Sequence, residues 1–216
     1  MIKLDSKTKD VLEWIFCILV AFILALLIRY YVGTPTVVKQ SSMYPTLINN
    51  QRLILSRWVR TKKQTPERGE IITFEAPDTP TYTSALEVDL SKPVSTYTNR
   101  PTSIIGKFSY YVLEIGKNSY IKRVIGLPGD HVEIKEGKVY LNGSELEENY
   151  LPEGVKTYDE KGAYTDVIVP EGYIYVMGDN RSRSTDSRRL GCIPIDKIES
   201  KVWIRFWPLT LFGKVN

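Results

Sequence analysis

The fold class this sequence predicts is mostly β: an antiparallel sheet domain carried behind a single N-terminal transmembrane helix. Three features predict it. Residues 14–28 form an uninterrupted apolar run, and from about Thr36 onward the chain breaks into short β-branched and aromatic runs punctuated by Gly and Pro. Asn142-Gly143 stands between two such runs, the strongest short-range signal for a hairpin turn. With 216 residues, 43% of them apolar, the chain can bury one sizeable core beside the helix.

The helix comes first. The run at 14–28 gives roughly 22 Å of helix, short of a ~30 Å hydrocarbon core, whereas 11–32 gives roughly 33 Å. Glu13 and Arg29 then lie near the two interfaces, with Trp14, Tyr30 and Tyr31 as aromatic anchors. A cleaved signal peptide would need a small-x-small exit, and Tyr30-Tyr31-Val32-Gly33-Thr34-Pro35 follows instead. The run is apolar on every face, which argues against a core helix of so small a domain. An uncleaved anchor is expected at 11–32, with a tail at 1–10 and the β-rich domain at 33–216. Lys3, Lys7 and Lys9 before the span, against Arg29 and Lys39 after it, lean slightly toward a cytoplasmic N-terminus.

Strands are predicted at 52–55, 70–74, 120–125, 131–134, 138–141, 173–177 and 202–206, and Asn142-Gly143 should close a hairpin onto Glu145-Leu146. Residues 78–101, rich in Thr, Ser and Pro, read as a long loop. The wider segment 78–118 reads as an insertion or a second β subdomain. The 29 basic and 25 acidic residues interleave, so no basic block is available to track a nucleic-acid backbone, and no nucleic-acid partner is expected. Cys17 lies inside the apolar run, so a disulfide with Cys192 is not expected; one histidine, His131, leaves no zinc-type spacing, and neither metal nor cofactor is implied.

Three blocks carry chemistry: Gln40-Ser41-Ser42-Met43-Tyr44-Pro45-Thr46-Leu47, then 120–130 around Lys122-Arg123, then 177–188 around Gly178-Asp179-Asn180-Arg181. Each alone also reads as a turn, a solvated strand pair or a tight loop. A serine nucleophile needs a base, and His131, following Gly129-Asp130 in a turn, is a poor candidate. A lysine of lowered pKa is the alternative. Strand alternation puts Lys122 on one face with Tyr120 and Val124, where burial would lower it, although a lysine snorkelling from a strand edge has the same pattern.

In this order after an N-terminal span, the blocks resemble the type I signal peptidases, in the smaller form common in Gram-positive bacteria. The likeness includes 68–74 and Arg205-Phe206-Trp207-Pro208-Leu209. It implies a catalytic domain of the signal peptidase type that removes signal peptides from secretory preproteins, works without cofactors, and prefers small residues at the first and third positions before the cut. By that pattern Ser42 is the nucleophile and Lys122 its base. Ser184 orients the lysine amine, and Asp186 with Arg188 forms a buried ion pair behind the site. The Ser42 N–H is an oxyanion donor; where some members supply a second donor from a serine, this chain has Gln40. Glu70 and Thr73 replace the usual Asp and Val and read as strand variation.

An extended substrate would pair with Val38, Lys39 and Gln40 on one side and Ser119, Tyr120 and Ile121 on the other. Trp203, Phe206, Trp207, Leu209 and Leu211 could rest on membrane lipid, or be an ordinary core strand and tail. The resemblance places the catalytic domain outside the cytoplasm on a single-pass protein of the cell membrane, and a monomer is expected. Ser119-Tyr120-Ile121-Lys122 matches the Ser-x-x-Lys of penicillin-binding enzymes but lacks their partner motifs. Self-cleaving repressors use a Ser-Lys pair without a membrane span. A non-enzymatic assembly factor on the same scaffold is disfavoured by the presence of both Ser42 and Lys122.

Overall fold

The computed structural model describes residues 5–78, 89–98, 100–158 and 163–215. Helix α1, Ser6–Leu27, runs on through a π-helical turn, Ile28–Val32, and the stretch Lys7–Val32 is long and apolar enough to cross a bilayer, with none of its apolar window buried against the rest of the protein. Its end is fixed to the domain by main-chain acceptors. The Arg57 N–H donates to Val32 O at 2.9 Å and Thr61 Oγ1 to Tyr31 O at 3.1 Å, while Arg60 reaches Tyr30 O.

The domain is mostly β, as predicted. Its larger sheet contains β1 (Gly33–Val37), β2 (Arg52–Ser56), β3 (Ile71–Glu75), β4 (Ser119–Gly126), β9 (Tyr173–Met177), β10 (Ile193–Pro194) and β11 (Ile198–Trp207), in the order β1-β2-β11-β3-β4-β9-β10. A smaller sheet, β7-β6-β5-β8, is built from β5 (His131–Lys135), β6 (Lys138–Leu141), β7 (Ser144–Glu145) and β8 (Asp166–Ile168). Every strand pair is antiparallel. The predicted hairpin is present: Leu141 faces Ser144, and Asn142 and Gly143 both take positive φ, 52° and 84°, as a two-residue turn matched to strand twist requires.

A core joins the sheets, with Ile125, Tyr175 and Met177 of the larger packed on Val132, Val139 and Val167 of the smaller. A second core under the 40–47 segment gathers Val38, Met43, Leu47, Leu53, Ile71 and Val202. All seven predicted strands are found, the last as part of a longer one, and β1, β8 and β10 were not predicted. Neither were the short helices α2 (Trp58–Lys62), α3 (Ile104–Tyr111) and α4 (Ser187–Leu190). Within 78–118 the described residues carry α3 and an isolated bridge from Val94 to Cys192; residues 79–88 and 99 lie outside the described residues. Cys17 and Cys192 are both free, the first exposed and the second buried.

Candidate active site

Ser42 sits in a tight turn directly after the last residues that flank β1. Met43 and Leu47 are fully buried and act as pegs, Leu47 N donates to Met43 O at 2.8 Å, and the seryl residue between core and solvent is 7% exposed. The third block clamps this turn from the other side. Asn180 N donates to Ser42 O and Asn180 Nδ2 to Ser41 O, each at 3.0 Å, and Thr46 Oγ1 donates to Asp179 Oδ2 at 2.6 Å. Asp179 is in turn held by Arg123 through two hydrogen bonds of 2.9 and 2.8 Å. Thus neighbouring residues of β4 divide the labour: Arg123 fixes the loop that carries the serine's clamp, and Lys122 faces the serine.

Lys122 is 1% exposed, and its Nζ lies 2.9 Å from Ser42 Oγ and 3.0 Å from Ile121 O. The amine also stands 5.3 Å from the centre of the Tyr120 ring. Burial pushes its pKa down from 10.5 to about 8, against the opposing pull of the Asp186 and Asp179 carboxylates. Near neutrality a usable fraction of this amine is therefore unprotonated, with a lone pair facing the serine hydroxyl. Such an arrangement can abstract a proton from Ser42 without a histidine.

Behind the pair, Asp186 is completely buried and accepts from Arg188 Nε and Nη2 and from Gly178 N, all at 2.9 Å. Burial alone would raise the Asp186 carboxyl, but the Arg188 guanidinium and these hydrogen bonds hold it below its ordinary value. Arg188 continues to Arg181 O and Tyr158 O. Gly178 is required by space: a Cβ there would collide with the Ser184 side chain and with Ser42 O. Ser184 Oγ is buried beside that glycine with no hydrogen bond of good geometry, leaning toward the Asp186 carboxylate, and the amine's two hydrogen bonds go to Ser42 and Ile121.

Val38, Lys39, Gln40, Ser119, Tyr120 and Ile121 all line one groove of about 440 Å³, which continues from the Ser42–Lys122 cleft toward Arg29 and shares Lys39, Gln40 and Tyr120 with it. The strand register explains why the groove is open. β4 pairs with β9 only from Arg123 to Gly126, so on that side Ser119 to Lys122 carry no neighbouring strand among the described residues. Thr73, read as simple strand variation, lies in the groove wall and hydrogen-bonds Ser200 at 2.5 Å. Gln40 is exposed at the mouth. His131 is remote, its Nε2 2.6 Å from Asp166 Oδ1 on the exposed side of β5. Trp203, Trp207, Leu209 and Leu211 are exposed rather than core residues. No group of metal-ligating side chains occurs among the described residues.

The roles of Thr46, Arg123, Asp179 and Asn180 were not anticipated. Their signal was present in the Gly178-Asp179-Asn180 run, but its meaning depends on a contact across the fold with residues 41–46.

The family model described as signal peptidase, peptidase S26, matches residues 11–207. The chain is 34% identical to "Probable signal peptidase I-2" of Synechocystis sp. over 89% of this chain and 72% of that protein. It is 32% identical to "Signal peptidase I S" of Bacillus subtilis (strain 168), covering 98% of this chain and 97% of the relative. It is 31% identical to "Signal peptidase IB" of Staphylococcus aureus (strain COL), covering 94% and 93%.

Proposed function

Because the chain belongs to the signal peptidase family, peptidase S26, and is a signal peptidase hydrolase, we propose that it cuts preproteins by a Ser42–Lys122 acyl-enzyme mechanism at the membrane surface. The observation that carries this reading is the 2.9 Å approach of Ser42 Oγ to the buried Lys122 Nζ. Neutral Lys122 takes the hydroxyl proton as Ser42 Oγ attacks the scissile carbonyl. The Ser42 N–H, which has no acceptor among the described residues, donates to the developing oxyanion. Collapse expels the new amine terminus, which takes the proton back from Lys122, and leaves the signal peptide esterified to Ser42. Water, deprotonated by the same amine, then releases it.

Asp186 and Arg188 act as positioning residues, Asp186 accepting from Gly178 N and being held by Arg188, while Ser184 packs against Gly178 beside the turn that carries Ser42. The substrate runs extended between Val38-Lys39-Gln40 and Ser119-Tyr120-Ile121, adding a strand to the free half of β4, with small residues at the first and third positions before the cut. Residues 11–32 span the cell membrane once, residues 1–10 stay in the cytoplasm, and 33–216 form an extracytoplasmic catalytic domain that works as a monomer beside lipid.

The test is cleavage of a lipid-embedded preprotein by detergent-purified wild type, Ser42→Ala and Lys122→Ala proteins, each with circular dichroism to show that it is folded. Both variants are expected to lose at least about 10³-fold in rate. Full activity in Lys122→Ala would mean that the base is another group; an inactive wild type would return the assembly-factor reading.

A further inference from the structure

The segment that follows α3 is tied to the end of the apolar helix. Glu114 accepts from Arg29 at 2.8 Å and from Arg57 at 2.5 Å, and Arg29 lies in the last turn of the Lys7–Val32 stretch. Sheet register places α3 at the same edge of the domain. Gly33 faces Ser56, Ser56 faces Lys201 and Lys201 faces Ile72, so β3, which runs on to Glu75 opposite Ser119, ends and β4 starts on the side of the sheet where β1 starts and β2 ends, about three residues further out. α3 leads directly into that start of β4.

The helix is well formed and held by its polar side. Ser103 Oγ caps it by accepting from Gly106 N at 3.1 Å, Tyr110 donates to Glu75 Oε1 at 3.2 Å, and Lys117 lies over the Tyr110 and Tyr111 rings. Its other side has no partner among the described residues. Ile104 is 88% exposed and Ile105 83%, with Phe108 and Ile115 exposed beside them. Each such side chain forgoes the gain of burial while it faces water, and a run of them on one short element marks a surface that is covered in use.

We propose that α3 is a second membrane contact: Ile104, Ile105 and Phe108 dip into the lipid interface beside the exit of α1. The cover is lipid because Glu114 pins this segment to Arg29, at the level where the spanning helix leaves the bilayer. Exposed Lys107 on the same helix suits anionic headgroups. The inference rests on reading α1 as a membrane span. With two points of contact the groove cannot swivel about a single helix, and the Ser42–Lys122 cleft is held at a fixed height above the lipid.

The experiment uses the full chain in phosphatidylcholine–phosphatidylglycerol vesicles with and without nitroxide-bearing lipid. One sample carries a thiol fluorophore on native Cys17, the other on Ile105→Cys in a Cys17→Ser background. Cys192 is left in place, since burial pushes its thiol up to about 12 and keeps it unreactive. Quenching of both labels is expected. Quenching at Cys17 without quenching at position 105 overturns the proposal and leaves the span intact; no quenching at either overturns both. Quenching at position 105 that appears only after a signal-peptide substrate is added overturns it too, because the apolar side would then belong to the substrate. Separately, Ile104→Ser/Ile105→Ser should cut a vesicle-embedded preprotein about tenfold more slowly while cleaving a short soluble peptide at the wild-type rate. Equal loss on both substrates would make the two isoleucines structural and overturn the proposal.

Discussion

Lys122, the base in the proposed mechanism, costs the fold stability through its burial. An amine whose pKa falls from 10.5 to about 8 on burial corresponds to about 3 kcal/mol of disfavoured charge, nearly all of it felt because the group is buried. Between pH 8 and 10.5 the unfolded chain binds the proton that the folded chain has given up, so this contribution to stability rises with pH across that window and is at its worst below pH 8. Two outcomes follow for one residue. The kcat/KM for a peptide substrate should climb about tenfold per pH unit on the acid side and level off above about pH 8, with no inflection at the ordinary lysine value. Lys122→Met, inactive, should unfold at a higher temperature than wild type at pH 7, by an increment worth about 1–3 kcal/mol that shrinks toward pH 10. A variant less stable than wild type at every pH would show that the amine is solvated, contrary to its burial.

At the scale of elements, the join between β9 and α4 decides whether the serine is held. Asp186 caps α4, accepts from Gly178 at the end of β9 and pairs with Arg188, all without solvent. Its lowered pKa means this contribution is complete above about 3.8 and fades as pH falls through the folded value. Asp186→Ala leaves the Arg188 charge buried and should lose about 3–5 kcal/mol, whereas Asp186→Ala/Arg188→Met should recover much of that loss, measured by urea unfolding. If the double variant is merely the sum of the two singles, the pair is not coupled.

The same elements show what could be read in advance. β4, β6 and β9 announce themselves by β-branched and aromatic runs, and the Asn142-Gly143 turn by its backbone chemistry. α2 and α4 are too short for a helical period to register. α3 lies under a residue pattern, Ile104 to Tyr111, whose apolar positions face away from the protein, so it gives no core stripe to recognise. Ser42 and Lys122 were legible as blocks. The Thr46–Asp179–Arg123 chain was not, because it joins residues that are distant in sequence through side-chain directions that only the packed sheet defines.

Across the whole molecule, β11 lies between β2 and β3 and so joins the N-terminal strands to the rest of the larger sheet, while β4 and β9 share one core with the smaller sheet. The smaller sheet has no apolar core of its own, since Val132, Val139 and Val167 are buried against Ile125, Tyr175 and Met177 of the larger. The β-rich domain should therefore melt in a single step, with tryptophan fluorescence from β11 and far-ultraviolet circular dichroism tracing the same curve; separated midpoints would mean that the smaller sheet is an independent unit. The half-paired β4 has one more implication. A peptide added to that edge is gripped through its main chain, which is alike in every protein, so affinity there is blind to sequence. In the proposed binding mode discrimination would fall to the few side chains that meet a wall, leaving a preprotein free to vary at the other positions and still be cut at one place.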